Sequence, residues 1–256
     1  MKRLINRALA PLGYVVMRKA ELARFNHGDA IRRDLAFLAA MPSAQAGDLL
    51  AAMAESPAQL RQDLFVLSEL GMKRGGFFVE FGAASGKELS NTWLLEKHYG
   101  WSGILAEPAK CWHERLAANR SCIIEHDCVW KSTGDQLEFL EAEQAELATL
   151  DGFQHVNLHE KASASATRYQ VKTVSLADLL ERHHAPAELD YLSIDTEGSE
   201  FEILRGFDFA RYPFKVITCE HSHTSIRENV YALLTAAGYV RKYEKFSDFD
   251  DWYVRA

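Results

Sequence analysis

Five short apolar runs, Phe77–Phe81, Gly103–Ala106, Ser121–Glu125, Leu189–Ile194 and Phe214–Cys219, recur along the chain with helically patterned stretches between them. Runs of this length without polar alternation are buried on both faces, and a parallel sheet covered by helices is the arrangement that buries strands so. The repeated order of strand and helix predicts an α/β fold, doubly wound and Rossmann-like, with a mostly parallel sheet. Tyr239–Glu244 and Trp252–Arg255, joined by the polar turn Lys245–Asp251, read as an antiparallel C-terminal hairpin on the sheet edge. Gln136–Leu140 and Tyr169–Val174 read as extra strands, and Ala162–Ala166 as a small-residue loop. Ahead of the sheet, Ile31, Leu35, Leu38, Leu49, Leu50, Met53, Leu60, Leu64, Leu67 and Leu70 fall at helical intervals that Gly71 closes. The predicted division is a helical N-terminal extension over residues 1–70 and an α/β domain over 71–256.

Hydrophobic residues make up 48% of the 256, enough for a sizeable core, and exclude a disordered or low-complexity chain. A net charge of −7 makes a general nucleic-acid binder a poor fit. The charge is unevenly spread: the first 33 residues carry eight basic and two acidic side chains, a local +6 that leaves −13 for the rest. There Leu4, Ile5, Leu9, Leu12 and Val16 lie at helical spacing, interrupted by Pro11 and Gly13. That pattern predicts a short basic amphipathic helix, either a peripheral contact with an anionic membrane surface or a cap on the domain or on a second copy in a homodimer. With no apolar run of about 18 residues and no secretory start, the expected location is cytoplasmic, at most peripheral at the inner membrane surface. Cys111, Cys122, Cys128 and Cys219 lack C-x-x-C spacing and read as reduced thiols. Cys122, His126 and Cys128 match no standard metal spacing, and strand alternation would split them between faces.

Val79-Glu80-Phe81-Gly82-Ala83-Ala84-Ser85-Gly86 joins a strand, a turn of small residues and helix-compatible sequence. Gly82 and Gly86 let a ligand approach the backbone closely. The next strand ends at Glu107, 25 residues past Gly82, where a doubly wound nucleotide fold places the carboxylate that accepts from both ribose hydroxyls. Asp127 follows the third strand, on the adenine side of such a fold. Ala84 stands where a dinucleotide-binding turn would have its middle glycine, and Glu80 disfavours an anionic ligand. A carboxylate beside the turn suits a ligand with a cationic end, such as the amino group of S-adenosylmethionine.

The stretch from Gly76 to Pro108, together with Thr173-Val174-Ser175-Leu176 and the run Leu189 to Glu200, resembles the FkbM family of S-adenosylmethionine-dependent methyltransferases over roughly residues 70 to 245. The resemblance implies a class I methyltransferase fold with a seven-stranded sheet whose last two strands form the edge hairpin. It also implies methyl transfer to a hydroxyl of a sugar, glycolipid or natural product. Glu80, Gly82, Ala83, Ser85, Gly86, Glu107 and Asp127 carry over as cofactor contacts, with Asp195 beside them.

Methyl transfer to oxygen needs an aligned acceptor and a group that takes its proton. Asp195-Thr196-Glu197 and Glu220-His221-Ser222-His223 end two strands which, as neighbours about 4.8 Å apart, would bring those residues together. Three assignments stand open. His221 or Asp195, with Glu220 beside them, acts as general base; or Asp195, Glu220 and His221 hold a divalent metal such as magnesium; or Asp195 and Glu197 cap the helix starting near Ser199 while His221 is structural. Asn91, Thr92 and Glu197 are candidate contacts to the acceptor, with Asn91 and Thr92 alternatively capping helix Trp93–His98. Trp93, Trp101 and Trp112 read as packing residues. Competing functions are a non-catalytic methyltransferase-like binding domain and a nucleotide-dependent oxidoreductase, the latter lacking its pyrophosphate turn.

Overall fold

The computed structural model describes residues 19–141, 149–150 and 166–256. The basic pattern from Leu4 to Val16 and most of the small-residue loop Ala162–Ala166 lie outside the described residues. The chain divides into two compact units, one ending at Ala46 and one beginning at Gly47. In the first, helix α1 (Lys19–Ala40) carries an ion pair between Asp29 and Arg32, 3.0 Å apart and one turn apart along its surface.

The second unit is built on a seven-stranded sheet. In chain order its strands are β1 (Phe77–Phe81), β2 (Ser102–Ala106), β3 (Ile123–Glu125), β8 (Leu189–Ile194), β9 (Phe214–Glu220), β10 (Tyr239–Lys242) and β11 (Asp250–Arg255), arranged β10-β11-β9-β8-β1-β2-β3. All neighbouring pairs are parallel except those of β11, which slots antiparallel between β9 and β10. Every residue of β1 and β8 is buried, as expected for central parallel strands covered on both faces. Alternation sends Phe77, Val79 and Phe81 into one core cluster with Ile104, Leu192 and Ile217. Phe78 points the other way, and Arg120 lies 5.4 Å above its ring.

A second sheet, ordered β4-β7-β5-β6, is formed by β4 (Cys128–Trp130), β5 (Gln136–Glu141), β6 (Thr149–Leu150) and β7 (Thr167–Ser175). The two extra strands expected from the sequence are its β5 and β7, paired antiparallel; β4, three residues long, is too short to carry a pattern of its own. The expected strand Ser121–Glu125 is shortened to Ile123–Glu125 at the sheet edge. The polar turn expected over Lys245–Asp251 instead holds a short helix, Glu244–Ser247, and yields Asp250 and Asp251 to β11. Both aspartates are buried, Asp250 in register with Glu220 and Asp251 with Cys219, so their polarity conceals a strand.

The sequence pattern assigns helix α2 (Ala46–Met53) and helix α3 (Gln62–Glu69) to an N-terminal extension. Helix α3 packs on the sheet instead: Phe65 stacks on Trp252 with ring centroids 4.8 Å apart, Gln62 donates to Asp250 at 3.1 Å, and Glu69 pairs with Lys242 at 2.7 Å. Phe65 and Trp252 are fully buried, and burying an aromatic of that size contributes about 1.5–3 kcal/mol.

Gly82 ends β1 at φ +72°, and a Cβ there would lie 1.8 Å from the carbonyl oxygen of Asp195. Left-handed backbone costs a non-glycine residue about 1–2 kcal/mol before any clash is counted. Gly82→Ala is expected to lower stability by at least ~2 kcal/mol, read as the urea midpoint; an unchanged midpoint would show that the two strand ends part easily.

Candidate active site

β1 has β2 on one side and β8 on the other, and the chain reverses its winding between them. In open α/β sheets such a point leaves a crevice outside the carboxyl ends of the strands. Here that crevice is a cavity of about 750 Å³, within the usual range for small-molecule sites. It runs from Glu107 after β2, past Gly82, to Asp195 after β8 and Glu220 at the end of β9.

On the β2 side, Glu107 is buried, with one carboxylate oxygen accepting from the Ala84 amide at 2.7 Å and the other from the Ala109 amide at 2.8 Å. Burial pushes its pKa up to about 7, against the pull of these two amides. Cys128, Val129, Phe139 and Leu150 form an apolar wall on this side, the last two supplied by β5 and β6. Asp127 is not part of that wall: its carboxylate pairs with Arg182 at 2.9 Å. Arg182 ends the helix Leu176–Arg182, so the acid expected near the adenine edge is spent on a partly exposed ion pair.

The first turn divides its residues. Gly82, Ala83 and Ala84 line the cavity. Ser85 does not; its hydroxyl donates to Glu88. Gly86 does not either: a Cβ there would lie 2.5 Å from Leu116 and 2.7 Å from Arg120, so this glycine admits the helix His113–Asn119 and the arginine that follows it. Glu80 lines the cavity but is no bare carboxylate. It accepts from the Ser90 and Thr92 hydroxyls and from the Asn91 amide at 2.8 Å, with Arg120 at 3.6 Å. Arg120 is itself buried and also pairs with Glu96. The charge of Glu80 is thereby compensated inside the protein, and its work is to hold the segment 90–92. Thr92 faces this network and not the cavity, its hydroxyl also accepting from Arg120 at 2.9 Å. Asn91 does line the cavity: its Nδ2 donates to Ser193 at 3.0 Å, while its buried Oδ1 has no partner.

On the β8 side the register pairs Ile194 with Cys219, which sets Asp195 next to Glu220. The two carboxyls hydrogen-bond to each other, and Ser222 donates to Glu220 at 2.7 Å. Burial, then the neighbouring acid charge, pushes Glu220 up to about 10 and Asp195 well above its usual range. Like charges this close cannot both ionise, so the pair keeps a proton at neutral pH. Glu197 joins them, the three offering oxygens within 4.8 Å of one another. The helix after this loop, Glu200–Leu204, is secured by Glu200, whose carboxylate accepts from the Thr196 and Gly198 amides at 2.9 and 3.0 Å. The capping role considered for Asp195 and Glu197 belongs to Glu200.

His221 is the principal correction. The His221 amide continues the pairing with β11 by donating to Phe249 at 2.9 Å, and strand alternation then turns its ring to the face opposite Glu220. The ring is buried away from the cavity; Nδ1 accepts from the His223 amide at 3.0 Å, and Nε2 lies 3.8 Å from Asp251. Burial lowers its pKa. The general base or metal ligand expected of His221 has no place there, and the cavity is lined by His223 instead. The acids that could hold a metal are therefore Asp195, Glu197 and Glu220. Sequence reasoning also misses Gln59, Gln62, Phe139, Leu150 and Asp248 at the cavity, because they come from elements with no motif of their own.

A sequence profile described as the methyltransferase FkbM domain matches residues 80–252. Among solved structures the chain is similar to a methyltransferase FkbM from Methylobacillus flagellatus KT, at 11% identity and a TM-score of 0.46, over 82% of this chain and 59% of that one. It is also similar to a precorrin-6y C5,15-methyltransferase from Geobacter metallireducens GS-15, at 13% identity and a TM-score of 0.38, over 75% of this chain and 85% of that one. No curated protein matches the chain.

The protonated acids set a pH dependence. Glu220 titrates near 4.3 when unfolded and at about 10 in the fold, so the native state binds more protons between those values. Stability from this source is complete below the unfolded pKa and is lost as pH rises towards 10; Glu107 and Asp63, both pushed to about 7 by burial, act in the same direction. The urea midpoint is expected to fall between about pH 6 and 9, and less steeply in Glu220→Gln. An identical slope in the variant would remove Glu220 from the titration.

Proposed function

The chain belongs to the FkbM methyltransferase family, and from that premise we propose that it transfers the methyl group of S-adenosylmethionine to a hydroxyl of a sugar, glycolipid or natural product. The observation that carries this reading is the Glu107 carboxylate, buried at the end of β2 and oriented by the Ala84 and Ala109 amides. A carboxylate so fixed accepts from two adjacent ribose hydroxyls. The residues around it fit the rest of such a donor. Cys128, Val129, Phe139 and Leu150 offer an apolar wall for a purine, Gly82 and Ala83 leave the backbone open, and the unpartnered Oδ1 of Asn91 suits a donor such as an ammonium group.

S-adenosylmethionine supplies a methyl on a positively charged sulfur, which needs no further activation. The protein has to hold the acceptor oxygen in line and take its proton. Asp195 and Glu220 are placed for the second task. Positive charge in the cavity favours their ionised form, and the ionised pair accepts a proton from a hydroxyl. Ser222, bonded to Glu220, fixes that carboxyl's orientation.

Calorimetry with S-adenosylhomocysteine and with NAD separates this reading from an oxidoreductase: micromolar or tighter binding of the first supports it, and binding of NAD alone overturns it. Glu107→Ala is expected to weaken S-adenosylhomocysteine by about 10–100-fold, the loss of charge-assisted bonds worth roughly 1.5–3 kcal/mol. Because Glu107 titrates at about 7 and accepts best when ionised, affinity should fall as pH is lowered from 8 to 6. In Glu107→Gln that dependence should flatten.

A further inference from the structure

The Glu107 end of the cavity is assembled from two sheets. The seven-stranded sheet supplies the loop after β2, whose Ala109 amide orients Glu107 at 2.8 Å. The second sheet supplies Phe139 on β5 and Leu150 on β6. Tyr169, on β7, touches both pieces. Its hydroxyl accepts from the Lys110 amide at 3.0 Å and donates to Glu141 at 2.6 Å. Glu141, which ends β5, also accepts from the Cys111 amide at 3.3 Å. Lys110 and Cys111 open the turn Lys110–Trp112 and follow directly on Ala109. Across the second sheet Tyr169 is in register with Phe139, their ring centroids 5.7 Å apart.

Each contact has a distinct effect. Antiparallel pairing of β5 with β7 fixes Phe139 relative to Tyr169, since directly opposed residues of a ladder share a face at about 4.5–5.5 Å. The Lys110 amide then fixes Tyr169 relative to Ala109, one residue away, whose own amide holds Glu107. The Lys110 ammonium, 4.2 Å from the centroid of the Tyr169 ring, adds a cation–π contact. Burial would raise the pKa of Glu141, yet it lies below its usual value because the Tyr169 hydroxyl and the Cys111 amide donate to it. Glu141 is therefore ionised at neutral pH, and its bond from Tyr169 is charge-assisted. Burial and then this bond push the Tyr169 phenol up, so the hydroxyl keeps its proton. A bare ring would satisfy packing against Phe139; the hydroxyl serves the junction with the loop after β2.

Resting on the methyltransferase reading, we infer that Tyr169 is a positioning residue for the methyl donor. Through Lys110 and Ala109 its hydroxyl sets where the Glu107 carboxylate stands relative to Phe139 and Leu150, so that the ribose and the purine of one S-adenosyl group are held at the same time. Tyr169 does this without lining the cavity itself.

The test works without the acceptor in hand. Tyr169→Phe keeps the ring and removes the hydroxyl, and S-adenosylhomocysteine titrated calorimetrically into the full chain at pH 8 should bind about threefold to tenfold more weakly. Loss of the junction also lowers stability, so the deciding readout is a double-mutant cycle. In a Glu107→Ala background there is no carboxylate to position, and adding Tyr169→Phe should cost less than about twofold. Glu141→Gln, which still offers the hydroxyl an oxygen, should keep most of the affinity that Glu141→Ala loses. An unchanged affinity in Tyr169→Phe overturns the inference, and so does an equal loss in both backgrounds, which would mean that the hydroxyl does not act through Glu107. Should Tyr169→Phe fail to fold, Glu141→Ala carries the same cycle with the same outcomes. If S-adenosylhomocysteine does not bind the natural chain, the methyltransferase reading falls and takes this inference with it, whereas either overturning result leaves that reading standing.

Discussion

The contact on which the site depends is between backbone and backbone: Gly82, leaving β1, passes so close to the Asp195 carbonyl that no side chain fits between them. It ties the two halves of the crevice together. Gly82 sets the path of the turn, the turn places the Ala84 amide, and that amide holds Glu107 in position across the end of β2. On the other side the same contact fixes where β8 ends, and the in-register pairing of β8 with β9 then brings Asp195 to Glu220. Two cavity carboxylates at the ends of different strands are positioned by one steric constraint, because strands of a close-packed sheet transmit position with little slack.

The protein treats its buried acids in two ways. Glu80 and Glu96 are matched by Arg120, whose guanidinium is buried with them and bonds further to the Gly86 carbonyl and the Ser90 hydroxyl. Removing one partner from such a group strands an uncompensated charge at about 3–5 kcal/mol, so this cluster works as a lock on the first turn and on residues 90–92. Asp195 and Glu220 receive no such partner and protonate instead. An unpaired acid pair in a cavity lowers stability at neutral pH, and proteins retain that kind of defect where a ligand or reaction uses it.

The difference between the two treatments marks how far the sequence can be read. The strands of the parallel sheet are visible as apolar runs, since burial on both faces leaves no other composition, and the spacing from Gly82 to Glu107 follows from one strand–helix–strand unit. The neighbouring positions of Asp195 and Glu220 follow from strand adjacency. What fails is resolution at the level of a single residue. His221 is one step past Glu220, and one step in a strand reverses the face. Thr92, Ser85 and Gly86 lie on or just past the first turn in sequence, yet serve packing: Arg120, more than twenty residues later, claims Thr92 and Gly86, and Ser85 donates to Glu88. Asp250 and Asp251 read as turn residues because a buried strand with two aspartates violates the rule by which strands are recognised.

The second sheet shows why the remainder is not legible. Phe139 and Leu150 belong to strands with weak alternation, and nothing local says that they reach the cavity; their role comes from where β5 and β6 are carried by pairing with β7. They make the Glu107 end of the crevice apolar, which raises the cost of leaving that carboxylate ionised. At the other end the wall carries hydroxyls and amides, and the acids there feel one another's charge in addition to their burial. The same kind of residue, a carboxylate at a strand end, is therefore tuned differently across one cavity: Glu107 by desolvation against two amides, Glu220 by desolvation together with its neighbour Asp195. A single crevice gains two chemically distinct halves without any change of strand topology, because the sheet supplies the positions and the walls decide the protonation.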